Sequence, residues 1–490
     1  MEFTRETCRA ARLSRDPRFD GKIFIAVRTT GIFCRTVCPA RAPSEAHVDY
    51  FPSAAAALQA GFRPCLRCRP ESWGTAAWNG TSTTVSRALR LIHEGGVEEL
   101  AGRLGIGSRH LRRLFIQHLG ATPIAVAQAQ RLLSAKKLID ETPLPFTSIA
   151  MAAGYASLRR FNAAFRATYG RSPRELRRES KPVSNSGPIT LTLRFRPPYD
   201  YEALLEFVSR RAIAGVEHVH RDIYSRTFLL DGTPGWLEVQ PARSNALTLR
   251  VDSVQPAHLL HVVGRVRRMF DLDADPLVIN SSLRRDPLLA RLVKSRPGLR
   301  VPGAWDGFEL GIRAILGQQV SVAGASTLAG RLAERYGHPL PFQIEGLTYT
   351  FPTPEEIIGA DLAIGLPKSR AEAIRDFARA VASKHIIFEN PEDCVSSICA
   401  IRGLGPWTAQ YIAMRAISDP DAFPAGDLAL LRAAGAKTAT ELERRAEHWR
   451  PWRAYAAMHL WQGVKDGNLN NISQLHLDGK PRRKAAAGGG

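Results

Sequence analysis

The sequence predicts a multidomain protein that mixes helices and sheets, and three observations lead to this fold class. The chain has 490 residues, more than a single hydrophobic core usually serves. Polar stretches at 70–84 and 179–188 separate segments whose apolar residues follow different periods. The cysteines include two short pairs near the N-terminus. We therefore expect modules at 1–75, 82–180, 188–285 and 286–472, followed by a disordered basic tail at 473–490.

The charge balance of the chain indicates which class of partner it binds. Lys and Arg number 67 against 46 Asp and Glu, which gives a formal net charge of +21. Such a surplus favours a nucleic acid over a small metabolite. The sequence contains no apolar run of about 18 residues and no apolar N-terminal leader. We therefore expect a cytoplasmic protein that binds no membrane.

The first module carries a candidate metal site. Cys34 and Cys38 form a C-x3-C pair, and Cys65 and Cys68 form a C-x2-C pair after a loop. Tetrahedral zinc is commonly held by four cysteine sulfurs in two such pairs. Because the module has few other apolar residues, the metal would supply much of its folding energy. The simplest interpretation is a structural zinc site with no further chemistry.

The second module contains a helix-turn-helix pattern that occurs twice, at 97–120 and 149–170, on either side of a helix at about 124–141. In the first unit Gly105 supplies the turn and Ser108 the expected helix cap. Two such units in one chain can reach successive turns of the major groove, so a monomer suffices. The predicted DNA-contacting residues are Arg109, Arg112, Arg113, Arg159, Arg160 and Asn162. Taken singly, each Arg is more often a phosphate contact than a base reader.

The third module alternates polar and apolar residues at 189–196, 236–240 and 246–251, and helical stretches at 200–212 and 256–270 complete the pattern of an α+β layer. The fourth module is helical and contains a hairpin, Gly403-x-Gly405. Glycines let a backbone approach a DNA phosphate closely. Asp427 follows a turn and begins a helix, so it could serve only as an N-cap.

Two strings in the first module, FIAVRTTGIFCRTVCPAR and AGFRPCLRC, resemble the zinc domain of the Ada family. The resemblance implies that Cys34, Cys38, Cys65 and Cys68 hold zinc. It also implies that Cys34 irreversibly accepts a methyl group from a DNA methylphosphotriester. Four thiolates on zinc carry a net charge near −2, so methylation should remove one negative charge and strengthen DNA binding.

The string GYASLRRFNAAFRATYGRSPRELR resembles the AraC/XylS family of transcription activators. This resemblance covers nearly all of 82–180 and implies promoter DNA as a partner and RNA polymerase as a further candidate. The chain lacks the Pro-Cys-His-Arg string of alkylguanine transferases. We therefore expect no methyl transfer from guanine.

Four strings in the second half resemble the AlkA family of helix-hairpin-helix glycosylases: PGAWDGFELGIRAILGQQVSV, GLGPWTAQYIAMR, DAFPAGDLAL and WRPWRAYAAMHLW. The resemblance implies a TBP-like α+β fold for 188–285 and an all-α glycosylase fold for 286–472. It makes Asp427 the catalytic carboxylate. It places Trp461, Tyr411, Trp407 and Gln318 around an extruded base, and Gln319 at the wedge position, where the compared family sequence has Leu.

The same resemblance assigns DNA contacts to Gly403 and Gly405, with a monovalent cation at the hairpin as a further candidate. Gln410 and its neighbours are not amines, whereas bifunctional lyases of the superfamily carry a Lys in the hairpin. We therefore expect base removal without strand cleavage.

The predicted function is that of a bifunctional adaptive-response protein for alkylated DNA. A zinc-thiolate methyl acceptor and activator would be joined to a monofunctional glycosylase for purines such as 3-methyladenine and 7-methylguanine. Two alternatives remain at this point. The chain could be a regulator whose inactive glycosylase fold clamps DNA, or a repair enzyme whose helix-turn-helix units give only nonspecific affinity.

Overall fold

The computed structural model describes residues 3–16, 19–68, 70, 83–92, 96–178, 188–252, 254–388 and 391–467. The predicted linkers fall mostly outside these ranges, and the predicted tail at 473–490 lies wholly outside them. Within the described ranges, every helix is too short or too polar to serve as a membrane span.

The first module is a small sheet with two short helices. Its elements are α1 (Arg5–Leu13), β1 (Phe24–Val27), β2 (Ile32–Arg35), β3 (Val48–Phe51), α2 (Ala54–Gln59) and β4 (Arg63–Pro64). The strand order is β3-β1-β2-β4, with β1 antiparallel to β2 and β3, and β2 parallel to β4. One small apolar cluster, Phe24, Ala26, Phe33 and Ala57, fills the space between sheet and α2. Such a small core leaves a bound metal a large share of the stability.

The described part of the second module is helical. Its helices are α3 (Thr83–Leu91), α4 (Val97–Arg103), α5 (Ser108–Leu119), α6 (Pro123–Glu141), α7 (Phe146–Ala152), α8 (Leu158–Tyr169) and α9 (Pro173–Arg178). The side chain of Thr122 caps α6, and Pro123 occupies its first position. Helices α5 and α8 both end at a glycine in the left-handed region, Gly120 and Gly170. The duplicated pattern of the sequence is thus a duplicated helix-turn-helix fold.

One detail of the first unit differs from expectation. The helix α5 begins at Ser108 itself, and the N-cap residue is Gly107, which provides no side-chain hydrogen bond. The expected cap at Ser108 is therefore wrong, because Gly107 already has the extended conformation of an N-cap. In the second unit Ser157 does cap α8, and its side chain accepts from the N–H of Arg160 (3.2 Å).

The third module is an antiparallel sheet with helices on it. Its elements are β5 (Ile189–Arg194), α10 (Tyr201–Ser209), β6 (Glu217–His220), β7 (Ile223–Leu230), β8 (Thr233–Ala242), β9 (Ala246–Asp252) and α11 (Leu259–Met269). The five strands run in the order β5-β9-β8-β7-β6. The alternation in the sequence predicts β5, β8 and β9 but misses β6 and β7. The strand β7 is buried along most of its length, yet its buried residues include Ser225, Arg226 and Thr227, so its sequence shows neither alternation nor an apolar run.

The fourth module is mostly helical, and its core also takes up Ile279 and Leu283 of a helix at 276–283, within the predicted limits of the third module. Its elements are α12 (Pro276–Leu283), α13 (Pro287–Ser295), α14 (Gly307–Leu316), α15 (Val322–Tyr336), β10 (Pro339–Ile344), β11 (Leu347–Tyr349), α16 (Pro354–Gly359), α17 (Lys368–Ala382), α18 (Pro391–Cys399), α19 (Pro406–Ile412), α20 (Leu428–Ala434), α21 (Ala439–Ala446) and α22 (Arg453–Lys465). A π-helical turn, Ala413–Ile417, follows α19. Trp452 and Trp449 are buried in the core of this module.

The second and third modules share one hydrophobic core across the predicted boundary at 179–188. Phe161 and Phe165 of α8 belong to the same buried cluster as Leu191 and Leu193 of β5. The strand β5 is an edge strand, and Glu141 at the end of α6 accepts a hydrogen bond from the N–H of Thr192 (3.0 Å). A helix of the second module thus satisfies part of an otherwise open sheet edge.

Buried ion pairs join the third and fourth modules. Arg226 on β7 donates to the carboxylate of Glu309 on α14 (2.6 Å), and both side chains are almost fully buried. Arg313, one turn after Glu309, donates to Glu217 of β6 (2.8 Å). These charges satisfy one another across the interface, as buried charges must. The sheet and the glycosylase-like helices therefore pack as one unit.

Candidate metal centre and base pocket

The predicted zinc ligands lie together beside strands β2 and β4. Cys34 is on β2, and Cys38 is in the following turn, where its N–H donates to the carbonyl of Arg35 (3.2 Å). Cys65 and Cys68 follow β4, which pairs in parallel with β2. This pairing brings the four sulfurs within 4.8 Å of one another.

Sulfurs at this spacing fit a zinc ion. Zn–S bonds of about 2.3 Å put the sulfurs of a tetrahedral site about 3.8 Å apart. The main-chain N–H of Arg35 also donates to the Sγ of Cys68 (3.4 Å), an outer contact that stabilises a thiolate ligand. When bound, zinc holds its cysteine ligands deprotonated at neutral pH.

Cys34 is the most accessible of the four ligands. It is half-buried, whereas Cys38, Cys65 and Cys68 are buried. The neighbouring Arg35 guanidinium points inward and donates to Asp20 (2.8 Å) and to the carbonyl of Cys68 (3.1 Å). An external group can therefore reach the sulfur of Cys34 more easily than the other three.

The other cysteines join no group of metal ligands among the described residues. Cys8 and Cys394 are buried, and Cys399 is exposed on α18. Burial raises the pKa of Cys394 to about 12, so this thiol stays protonated at neutral pH.

Helices α5 and α8 present their predicted DNA-contacting residues outward. Arg109, Arg112, Arg113, Arg159 and Arg160 are exposed, and Asn162 is half-buried. The opposite faces carry Phe115 and Phe161, which are fully buried. Both helices therefore have a cationic outer face and an apolar inner face, as a recognition helix requires.

Helices α18 and α19 enclose the predicted hairpin. Gly403 has a φ of +87°, in the left-handed region that a side chain would strain. Gly405 is the N-cap residue of α19, and a Cβ built on it would meet nothing within 4 Å. The first turn of α19 is therefore open to an approaching group.

Asp427 is the N-cap of α20 and also holds two indoles. Its Oδ1 accepts from the N–H groups of Ala429 and Leu430 (both 3.0 Å). The same oxygen accepts from Nε1 of Trp461 (3.0 Å), and Oδ2 accepts from Nε1 of Trp407 (3.1 Å). The carboxylate is thus fixed by main-chain and side-chain donors at once.

Asp427 and three of the predicted aromatic residues line one cavity of about 450 Å³. The rings of Trp407 and Tyr411 are parallel, with centroids 5.4 Å apart and an interplanar angle of 7°. They lie one helical turn apart on α19, whereas Trp461 comes from α22. The structure therefore brings Asp427, Trp407, Tyr411 and Trp461 together from three helices.

The sequence patterns missed the cations of this cavity, whose lining includes Arg210, Arg211, Arg313, Arg415 and Lys465. Arg415 donates to the hydroxyl of Tyr411 (2.7 Å) and to two main-chain carbonyls. Arg211 lies over the ring of Phe207 (3.7 Å). Neither has a carboxylate partner in the part of the chain that the structure describes. The spacing of Arg415 from Tyr411, one helical turn, is a signal that could have found it; Arg211 offers none.

These cations change the acidity of Tyr411. Burial raises the pKa of its phenol, but the positive charges of Arg415, Arg211 and Arg313 outweigh burial. The net result is a pKa below the usual value for tyrosine.

The two predicted glutamines occupy the loop between α14 and α15. The Gln318 amide donates to the carbonyl of Gly403 (3.1 Å) and to the hydroxyl of Thr408 (3.3 Å), so it braces the hairpin and is not among the residues that line the cavity. Gln319 is exposed and has a φ of +57°. This conformation is strained for a residue other than glycine and projects Gln319 from the loop.

Comparison with known families divides the chain in the order of these modules. The family model "Metal binding domain of Ada" matches residues 7–71, and "Helix-turn-helix domain" matches 100–179. "AlkA N-terminal domain" matches 190–306, and "HhH-GPD superfamily base excision DNA repair protein" matches 312–453. The predicted fold class is confirmed.

A protein of Mycobacterium tuberculosis, named "Probable bifunctional transcriptional activator/DNA repair enzyme AlkA", is 41% identical over 477 residues. The match covers 93% of this chain and 96% of that protein. The chain belongs to this bifunctional family. As a member of the bifunctional family, it joins a zinc-binding module and a helix-turn-helix regulator module to a helix-hairpin-helix glycosylase module.

Relatives of the second half alone are also known. The "DNA-3-methyladenine glycosylase 2" of Escherichia coli K12 is 34% identical over 278 residues, which are 55% of this bifunctional chain and 96% of that enzyme. A solved structure, "3-methyladenine dna-glycosylase from Archaeoglobus fulgidus", superposes with a TM-score of 0.51 at 21% identity. It covers 57% of this chain and 99% of that one and shows the shared fold. Below, residues 3–178 are called the regulatory half and residues 188–467 the repair half.

Proposed function

We propose that the repair half hydrolyses the N-glycosidic bond of alkylated purines in DNA, such as 3-methyladenine and 7-methylguanine. One observation carries this proposal: the carboxylate of Asp427 is held by two indole N–H groups at the wall of an aromatic cavity. The names of the glycosylase relatives support the same substrate class. Since the carboxylate and its cavity are assembled, an inactive fold that only clamps DNA is not favoured.

The chemistry follows from the position of this carboxylate. The target base must leave the duplex to enter the cavity. As the bond between sugar and base breaks, its electron pair leaves with the base and positive charge develops on the deoxyribose. The fixed negative charge of Asp427 stabilises that charge without reorganising. Asp427 then accepts a proton from the water that attacks the sugar carbon.

The aromatic wall favours bases that already carry a positive charge. Trp407, Tyr411 and Trp461 offer ring faces to the extruded base. Cation–π attraction in a desolvated site contributes up to about 2 kcal/mol. Arg211 and Arg415 oppose this attraction, and Arg415 is held in place by its hydrogen bond to the hydroxyl of Tyr411 (2.7 Å). An alkylated purine needs only this modest help, because its positive charge makes it a good leaving group.

The hairpin is the candidate segment for contacts to the DNA backbone. The loop between α14 and α15 is the candidate segment for filling the gap in the duplex. We assign Gly403 and Gly405 to a phosphate at the open first turn of α19, where a monovalent cation could also bind. We assign Gln319 to the space that the extruded nucleotide leaves, which an amide fills by stacking and hydrogen bonding. Gln318 holds these two segments together and supports the pocket from outside.

The proposal is tested by incubating the purified full chain with methylated DNA and measuring the bases that it releases. We expect free 3-methyladenine and 7-methylguanine and an abasic strand that stays intact until alkali is added. Intact glycosidic bonds after prolonged incubation would refute the assignment. Strand cleavage without alkali would refute monofunctional chemistry.

In the regulatory half, we propose Cys34 as the acceptor of a methyl group from a DNA methylphosphotriester. Its sulfur attacks the methyl carbon, so that the S–C bond forms while the C–O bond breaks. The electron pair of the C–O bond stays on the phosphate oxygen and restores a diester. The partial exposure of Cys34 supports this choice over Cys38, Cys65 and Cys68. The loss of one negative charge then favours promoter binding and activation.

The helix-turn-helix units give a prediction of their own. Replacing Arg112 with alanine is expected to weaken binding to every DNA duplex, because an exposed arginine on α5 contacts phosphate. The slope of log K against log salt should fall in magnitude by about 0.9 for the lost contact. Fluorescence anisotropy at several salt concentrations measures both. Arg250→Ala, on the sheet, is the control, and a loss confined to one DNA sequence would instead make Arg112 a base reader.

We also propose that the domains span residues 1–75, 82–180, 188–285 and 286–472. The contact with RNA polymerase, the monomeric state and the cytoplasmic location stay predictions of the sequence.

A further inference from the structure

We propose that the zinc module docks on the repair half through a buried ionic interface, so that zinc binding stabilises helix α12. The surface on the repair half is the N-terminal end of α12, and its partner is the segment 19–23 of the same chain. This inference concerns the coupling between the two halves and holds whether or not Cys34 accepts a methyl group.

On the zinc side, the segment 19–23 is tied to the cysteine cluster through Arg35. The Arg35 guanidinium donates to Asp20 (2.8 Å) and to the carbonyl of Cys68 (3.1 Å). Its main-chain N–H donates to the Sγ of Cys68 (3.4 Å). Asp20 is only 2% exposed. The position of this segment therefore depends on the position of Cys68, a candidate metal ligand.

On the repair side, the same segment reaches the cap of α12. Lys22 forms an ion pair with Asp275, and their side chains are 10% and 1% exposed. The Oδ1 of Asp275 accepts from the N–H groups of Leu277 (3.2 Å) and Val278 (3.4 Å). If Lys22 withdrew, Asp275 would keep a buried charge with less compensation, which is costly. Its remaining cationic neighbour, Arg196, belongs to the repair half itself.

Two further contacts follow the same interface. The charge of Asp20 attracts Arg196, just after β5, whereas at Arg194, at the end of β5, repulsion by the guanidinium of Arg35 outweighs that attraction. Leu66, between the ligands Cys65 and Cys68, packs against the core that the second and third modules share. The loop that carries two metal ligands thus also contributes an apolar contact.

Removal of the metal should therefore also destabilise residues outside the zinc module. Four sulfurs without a metal lose the bonds that hold β2 and β4 together, and the module loses much of its folding energy. Lys22 would then leave Asp275, and the first turn of α12 would open more often. Because such coupling is reciprocal, weakening the interface must also weaken zinc binding.

Hydrogen exchange of the full chain, with zinc bound and after removal by a chelator, tests this coupling. We expect exchange in the peptide 276–283 to become about tenfold faster or more when zinc is removed. In the double variant Lys22→Met/Asp275→Asn, which lacks both charges but keeps a capping side chain, zinc removal should leave this peptide unchanged. The matched control is Arg250→Met/Glu238→Gln, an ion pair in the third module with side chains 43% and 21% exposed, which should respond like the wild type.

The proposal is overturned if zinc removal unprotects β1 and β2 but not residues 276–283. It is equally overturned if the double variant responds to zinc removal as the wild type does. Should the double variant fail to fold, the single variant Lys22→Met answers the question by competition with a chromogenic chelator. We expect the zinc affinity of Lys22→Met to fall several-fold, while the affinity of the Arg250 control stays constant. An unchanged zinc affinity of Lys22→Met would overturn the proposal.

Discussion

Replacing Asp427 with asparagine is expected to lower the release of 3-methyladenine and 7-methylguanine by about 100- to 1000-fold, because the charge that stabilises the developing positive sugar is lost. The fold should survive, since asparagine caps helices as well as aspartate does. Its side-chain oxygen can still accept from the N–H groups of Ala429 and Leu430. The measurement is single-turnover base release from methylated DNA, with circular dichroism to verify the fold.

The chain offers a matched control for this variant in Asp286. That residue caps α13, accepting from the N–H groups of Leu288 (2.8 Å) and Leu289 (3.2 Å). It also accepts from an indole, Nε1 of Trp449 (2.9 Å), but it does not line the cavity. Asp286→Asn should therefore change stability without a specific loss of base release. Equal activities of Asp427→Asn and the wild type would remove Asp427 from the mechanism.

Replacing Cys34 with alanine is expected to abolish methyl transfer completely, since no other thiol of the module is both a metal ligand and half-exposed. After incubation with DNA that contains methylphosphotriesters, the wild-type chain should gain the mass of one methyl group. The variant should gain none. Peptide mass spectrometry should place the wild-type methyl group on Cys34.

Cys8→Ala is the control for this experiment, because Cys8 is a buried cysteine of the same module outside the metal cluster. It should accept one methyl group as the wild type does. Zinc content is measured alongside, since Cys34→Ala also removes a ligand. A methyl group found on Cys38, Cys65 or Cys68 in the wild type would contradict the assignment even if the alanine variant is inactive.

The sequence predicted the fold well wherever a local pattern decides it. The long helix α6 starts at a Thr-Pro pair, and its limits match the prediction within a residue. The cysteine spacing predicted the cluster, because short pairs leave little freedom in how sulfurs converge. The strand β7 was missed because its buried residues include Ser225, Arg226 and Thr227, so its sequence shows neither alternation nor an apolar run.

The candidate site was less accessible to sequence reasoning. Asp286 and Asp427 have the same local features, a helix cap followed by apolar residues, and each binds an indole. Without the structure, only the family motif around Asp427 distinguishes this catalytic candidate from the helix cap Asp286. Gln318 lies beside the cavity rather than along it, because its amide turns toward Gly403. The orientation of Gln318 and the ion pair Lys22–Asp275 both depend on segments that are distant in sequence.

The core to which α8 and β5 both contribute affects which parts of the gene can be lost during evolution. A fragment encoding only residues 188–467 would lack the residues of α6 to α9, among them Phe161 and Phe165, that complete this buried cluster. We expect that product to aggregate, so deletions that remove the helix-turn-helix module would also harm the glycosylase. Selection for excision of damaged bases would thereby retain the upstream coding sequence, even in a lineage that no longer needed the transcriptional response.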